Sequence, residues 1–330
     1  MIEDLDKWKD KKVLIIGEAL IDKYILGMAD RISPDAPVPN VKINKTETYL
    51  GAVGLVLQYI KSLGGKPEIC TIVGDDFEGN FFVKKIKQLN VDSSNIIIAE
   101  GINTPQITRI KAMDQHLLRL ETDYKAEIPQ NYINEFFSII KSNFNDLDSI
   151  IILDYGAGGL FTDYFIQELL NILKTSYRDI PILVRPGNQD YFLYESVDLM
   201  KINLKRALNL FSIDCHTETS INIVGKRILS ASKCKNLLLN YLETNSFLFL
   251  KNQEKVEKFD PVLDEPARSF IAVGSVIMAV MGLSFAAKLD LLKSVQTALH
   301  AGVLSAINPP VKFFDMKELK EFINKRLKNK

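Results

Sequence analysis

The chain has 330 residues, 47% of them hydrophobic and 25% charged, with 41 basic side chains against 41 acidic ones. A chain of that length buries a large core without disulfide staples. The balanced charge, with no long single-sign block except the basic end Lys325 to Lys330, excludes nucleic acid and an anionic membrane as main partners. The mixed-charge start MIEDLDKWKDKK lacks the apolar run of a signal peptide, which points to a cytoplasmic protein. Cys70, Cys215 and Cys234, and His116, His216 and His300, are scattered without metal-ligand spacing, so no metal is expected on them.

Lys11 to Gly17 is a continuous apolar strand ending in glycine, as in a parallel sheet covered on both faces. Glu18 and Asp22 then stand beyond the strand's carboxyl end, where open α/β sheets bind ligands. The proline-rich stretch Asp30 to Pro39 and the alternating Val41 to Ile43 predict an edge strand or lid that leaves the main sheet. A helix over Gly51–Ile60 is closed by Gly64-Gly65. A strand over Glu68–Val73 follows, and Gly74-Asp75-Asp76 leads into a helix over Phe77–Leu89. Strands are expected at 95–99, 106–112, 116–120, 149–153, 181–184, 199–202, 236–241 and 246–250. Helices are expected at 132–141, 165–173, 204–211 and 220–231. Strands alternating with helices predict an α/β fold with a doubly wound, mostly parallel sheet.

Phe270 to Ala287 is the longest uncharged run. Its length reaches the lower bound for a membrane span, but no second span exists and no Trp or Tyr flanks it. Its Ala, Gly and Ser content suits a helix buried mid-core, and no membrane partner is expected. The N-terminus of such a helix carries open N–H groups and partial positive charge, a natural seat for an anion. Two amphipathic helices, Leu291–Ala306 and Met316–Lys325, cap the fold.

Gly17 to Tyr24, Arg31 to Pro39 and Gln115 to Leu120 together resemble the ribokinase-like (PfkB) carbohydrate kinases, within them the bacterial heptose 7-phosphate kinases of ADP-heptose synthesis. The resemblance runs from about residue 11 to about 320. It implies one ribokinase-like domain whose small β-sheet lid is formed by about 27–48 and 105–121, and ATP and Mg²⁺ as reaction partners. It further implies a sugar-phosphate substrate, a homodimer formed through the lid or a heteromer with an active kinase, and no fused nucleotidyltransferase domain. Carried over, it marks Asp22, Arg31, Gly51, Asp75 and Asp154 as substrate contacts, and Asn203, Arg206, Gly274 and Ser275 as nucleotide or anion contacts.

The departures from that pattern are as informative. The family's Gly-Gly-Ala-Ala-Asn reads Gly51-Ala52-Val53-Gly54-Leu55, and Asp-Tyr-x-Lys-Gly reads Asp154-Tyr155-Gly156-Ala157-Gly158. Asp-Pro-Lys reads Arg185-Pro186-Gly187, and Asn-x-x-Glu reads Asn203-Leu204-Lys205-Arg206. Gly-Ala-Gly-Asp, which holds the catalytic base, falls on Ala272-Val273-Gly274-Ser275. A second register anchored on Asp264 puts Phe270 at the base position. Neither register supplies a carboxylate, and Ala272 and Val273 are expected to restrict the backbone of a phosphate cradle. Phosphoryl transfer depends on positioning, charge neutralisation and a carboxylate that steers the nucleophile. The expectation is therefore a non-catalytic sugar-phosphate-binding or partner subunit, with Asp22 and Asp75 alternatively simple helix caps. The competing reading is a residually active heptose 7-phosphate kinase serving lipopolysaccharide precursor synthesis.

Overall fold

The computed structural model describes residues 2–113, 115–124, 127–156, 158–187, 191–213, 217–260, 263, 265–309 and 311–328. Ala157, Cys215, His216, Asp264 and the last two residues of the basic end lie outside the described residues.

Strand β1 (Lys12–Gly17) is apolar on both faces and lies between two parallel partners, β4 (Lys66–Gly74) and β8 (Ser149–Leu153). On the β4 side the sheet continues to β5 (Ile96–Ala99). On the β8 side it continues through β9 (Ile182–Arg185), β10 (Leu199–Asn203) and β11 (Asn236–Asn240). Two antiparallel strands, β12 (Ser246–Leu250) and β13 (Glu257–Phe259), finish that edge. β13 has no counterpart in the sequence reading, because three residues are too few to show an alternation. The chain winds outward in both directions from β1 and β8, so a crevice opens between their carboxyl ends.

A second, four-stranded sheet has the order β3-β2-β6-β7. β2 (Ala19–Ile32) and β3 (Pro39–Ala52) are paired antiparallel and 14 residues each, and β6 (Gln106–Ala112) and β7 (Gln115–Thr122) complete it. Much of β2 has no strand signal, because its polar and apolar residues do not alternate over an open, half-exposed sheet. Pro34 and Pro37 lie in the turn, and Pro39 opens β3, where a missing N–H costs little. One residue, Glu18, separates β1 from β2.

Helices cover both faces of the large sheet. α1 (Val53–Ser62), α7 (Val273–Ala286), α8 (Leu291–Ile307) and α9 (Met316–Lys328) share one apolar cluster. α3 (Gln130–Ser142), α4 (Asp163–Ser176), α5 (Leu204–Leu210) and α6 (Glu218–Ser232) share the other. α2 (Phe77–Gln88) follows β4, its N-terminus capped by the Asp76 carboxylate accepting from the Gly79 amide at 2.7 Å. The cap is Asp76, and Asp75 is exposed beside it.

α7 is buried along almost its whole length. It starts at Val273, not Phe270, because Phe270 to Ala272 form a turn in which Phe270 is 47% exposed. Among the described residues no helix is long and apolar enough to cross a membrane. α7 lies almost on the sheet at Gly282, where a Cβ would come within 2.4 Å of Ile151 Cδ1. The Ser149 hydroxyl donates to the Gly282 carbonyl there at 3.0 Å.

Ala52, which precedes α1, is held at φ +43°, ψ −118°, a conformation that favours glycine. Replacing Ala52 with Gly should therefore stabilise the protein by about 1 kcal/mol, relief of strain outweighing glycine's extra unfolded-state entropy. Urea denaturation checks this, and an unchanged or lower midpoint refutes it.

Candidate functional site

Two cavities meet at the carboxyl ends of β1 and β8. The first, about 590 Å³, lies under the four-stranded sheet and is lined by Asp22, Ala52, Leu55, Arg109, Arg119 and Asp123, among others. The second, about 350 Å³, lies against the N-terminus of α7 and is lined by Lys201, Asn203, Asn240, Glu243, Gly274 and Ser275, among others. Tyr155, Arg185, Arg206, Phe270 and Ile271 belong to both walls, so the cavities form one bipartite cleft.

In the first cavity Asp22 is buried and ion-paired with Arg109, itself buried on the neighbouring strand β6. The Arg109 guanidinium also lies 5.4 Å from the Tyr24 ring centre. Burial pushes the Tyr24 hydroxyl up to about 12, against the opposing pull of Arg109. Gly51 is adjacent, since a Cβ there would sit 2.9 Å from Asp22 Oδ2 and 2.4 Å from Leu20 Cδ2, so the carboxylate keeps its place only beside a glycine. Leu55 supplies an apolar wall where the kinase pattern has its amide.

Tyr155 divides the two halves. Its amide donates to Glu18 Oε2 at 2.7 Å, its ring carries the Arg185 guanidinium 3.9 Å from the centre, and its hydroxyl lies 3.1 Å from Ser275 Oγ. Asp154 is wholly buried behind it, accepting from the Tyr194 hydroxyl and the Gly156 amide, each at 2.8 Å. Burial, followed by the Asp154 charge, pushes the Tyr194 hydroxyl well above its ordinary value. Asp154 thus holds the loop in place and lines neither cavity.

In the second cavity Asn203 caps α5, accepting from the Arg206 amide at 3.3 Å. Ala272 has ordinary helical angles (φ −89°, ψ −6°), so the absence of glycine there imposes no backbone restriction, contrary to the sequence expectation. Ala272 offers no side-chain cap, and among the described residues nothing accepts from the amides of Gly274 and Ser275. Lys201 is 5% exposed. Burial first, then Arg185 and Arg206, push its ammonium down to about 7.

The structure therefore brings Asp22 and Gly51 to one half of the cleft and Asn203, Arg206, Gly274 and Ser275 to the other. It leaves Arg31 exposed at the far end of β2 and Asp75 exposed before α2, neither lining the cleft. Sequence reasoning passed over Arg109 and Lys201. Lys201 carries a local signal, a single cation in the otherwise apolar Leu199-Met200-Lys201-Ile202, whereas Arg109 shares its mixed strand with Lys111 and carries none. Tyr155 stands out in the sequence only as part of the Asp154-Tyr155 motif.

Residues 10–142 match the pfkB family carbohydrate kinases. Among curated relatives, the bifunctional protein HldE of Campylobacter fetus is 30% identical over 288 residues, 87% of this chain and 60% of that protein. The HldE of Desulfatibacillum aliphaticivorans is 27% identical over 287 residues, 86% of this chain and 57% of that protein. The chain thus spans only about 60% of the length of these relatives. Among solved structures, Escherichia coli phosphofructokinase-2 in complex with fructose-6-phosphate superposes with a TM-score of 0.77 at 13% identity, covering 96% of this chain and 99% of the other. Arabidopsis thaliana ribokinase complexed with ribose and ATP superposes with a TM-score of 0.75 at 12% identity, covering 95% and 99%. At these identities the likeness establishes the fold.

Arg109→Met leaves a buried carboxylate without its partner and should cost about 3–5 kcal/mol in urea unfolding. Adding Asp22→Asn should recover most of that loss, and equal losses in the single and double variants refute the pairing. For Lys201 the folded value lies below the unfolded one. Between about pH 7 and 10 the unfolded chain then holds a proton that the folded chain has released. Stability should rise with pH across that window, by up to about 1.4 kcal/mol per pH unit from this group, and the full penalty persists below pH 7. Lys201→Met should flatten that part of the slope, and an identical slope in the variant refutes the assignment.

Proposed function

We infer that this chain, a PfkB-family protein of ribokinase-like fold, binds a phosphorylated sugar in the bipartite cleft and is a non-catalytic or nearly inactive relative of the sugar kinases. The sugar would lie under the four-stranded sheet beside Asp22, Arg109 and Leu55, with its phosphate toward the arginines. Heptose 7-phosphate is the first candidate, given the likeness to HldE proteins.

The observation that carries this reading is Ser275. It stands in the first turn of α7, 1% exposed, with its hydroxyl bonded to another hydroxyl, that of Tyr155. A serine so placed orients a neighbour but takes no proton near neutral pH, and loss of a general base typically removes about 10²–10⁴ of rate. Three of the carboxylates around the cleft are engaged elsewhere, Asp22 by Arg109, Asp154 by Tyr194 and Glu18 by the Tyr155 amide, while Asp123 and Glu121 line only the first cavity and Glu243 only the second. The lid's exposed Met28, Ile32, Ile43, Leu118 and Leu120 support pairing through that sheet, with a second copy or with a competent kinase.

A second reading, residual ATP-dependent kinase activity, is favoured by the open amides of Gly274 and Ser275, which would still receive an anion. A coupled assay with Mg²⁺-ATP and heptose 7-phosphate separates the two. The expected turnover is at least about 10³-fold below the 1–100 s⁻¹ of ordinary kinases. Heptose 7-phosphate at about 100 times its Kd should meanwhile stabilise the fold by about 2.7 kcal/mol. Turnover in the ordinary range sinks the non-catalytic reading. A small measurable rate that Ser275→Asp raises establishes the second.

A further inference from the structure

Three cations converge on the first turn of α7. A Cβ placed on Gly274 would lie 3.7 Å from Lys201 Nζ and 3.8 Å from Arg185 Nε, and Arg206 lines the same wall. Lys201 makes no hydrogen bond or ion pair among the described residues. Arg185 Nη1 is buried and has no acceptor. Burying a cation without a counter-charge is costly, and the partial positive charge of the helix end adds to the cost. The carboxylate on this wall, Glu243, is exposed.

The Mg²⁺ of the kinase family does not fit this wall. Mg²⁺ requires near-octahedral oxygen ligands, commonly one or two carboxylates besides phosphate and water. Among the described residues no cluster of His, Cys, Asp or Glu could hold a metal ion. The kinase pattern's two carboxylates at this place are replaced by Arg185 and Arg206.

We propose that this half of the cleft binds the phosphate or pyrophosphate group of a small molecule directly, on Lys201, Arg185, Arg206 and the amides of Gly274 and Ser275, without a divalent cation. The proposal rests on the cleft being a ligand site, as in the function above, and adds that the ligand arrives as a free polyanion. The protein's cations take over the neutralising role of the metal, and arginine's planar fork matches phosphate oxygens. A bound anion would also remove the penalty of burying Lys201.

The test is a thermal-shift titration of the full chain with inorganic pyrophosphate and, separately, with ADP, each in EDTA and again with excess Mg²⁺. At least one of the two should raise the Tm in EDTA, and excess Mg²⁺ should weaken that binding by competing for the phosphates. The tighter of the two identifies the source, a nucleotide or a simpler phosphate. Lys201→Gln and Arg185→Gln should each weaken binding at least tenfold. Ser275→Asp, which places a carboxylate among the cations, should abolish it. Arg185 is partly exposed, so Arg185→Gln decides the matter if Lys201→Gln does not fold. Binding that requires Mg²⁺, or that is equally tight in the folded glutamine variants, overturns the proposal. A heptose 7-phosphate shift with no pyrophosphate or ADP shift in EDTA overturns it while leaving the proposed function standing. A shift by either anion in EDTA without a sugar-phosphate shift does the reverse.

Discussion

The packing of α7 against the sheet is the constraint on which the cleft depends. Gly282 lets the helix backbone come within a side chain's depth of Ile151, and the Ser149 hydroxyl fastens it there. With both faces of the helix buried, it has no freedom to slide or roll, so its first turn is fixed at the carboxyl ends of β8 to β10. An uncapped helix end inside a protein leaves donors exposed to whatever faces them. Here it is faced by cations and by the Tyr155 hydroxyl, so the end stays open to an incoming acceptor.

Charge is distributed unevenly across the cleft. Three of its carboxylates have partners: Asp22 a guanidinium, Asp154 a phenol and an amide, and Glu18 the Tyr155 amide. Two of its cations are not balanced in the same way: Arg185 rests on an aromatic face, and Lys201 has neither a carboxylate nor a hydrogen-bond acceptor among the described residues. A site organised like this favours oxygen-rich anions over metal ions.

The fold was largely legible in the sequence, because the buried parallel strands are unbroken apolar runs such as Ile150 to Leu153 and the helices carry their periodicity and caps. The long hairpin of β2 and β3 was less legible. Its strands project from the body and face solvent over much of their length, so they need no apolar alternation. The sequence also showed what the kinase pattern lacks, but not how the remaining residues rearrange. Asp154 reads as a ligand carboxylate and proves to be a buried brace. Arg31 reads as a contact and sits at the exposed tip. Arg109 and Lys201 matter because strand pairing and helix placement carry them to the cleft, and such long-range proximity has no local signature.

Between β1 and β2 the chain passes from one sheet to the other through a single residue. Glu18 follows β1 directly and precedes β2, and the Gly17 carbonyl beside it accepts from the buried Thr71 hydroxyl at 2.6 Å. At this crossing the four-stranded sheet is joined to the large one by a short, pinned link with no slack of its own. Any swing of that sheet turns Glu18, and the Glu18 carboxylate holds the Tyr155 amide. Through Tyr155 the movement reaches the Arg185 guanidinium and the Ser275 hydroxyl together. The cover over one half of the cleft and the floor of the other are thus geared to each other through one side chain.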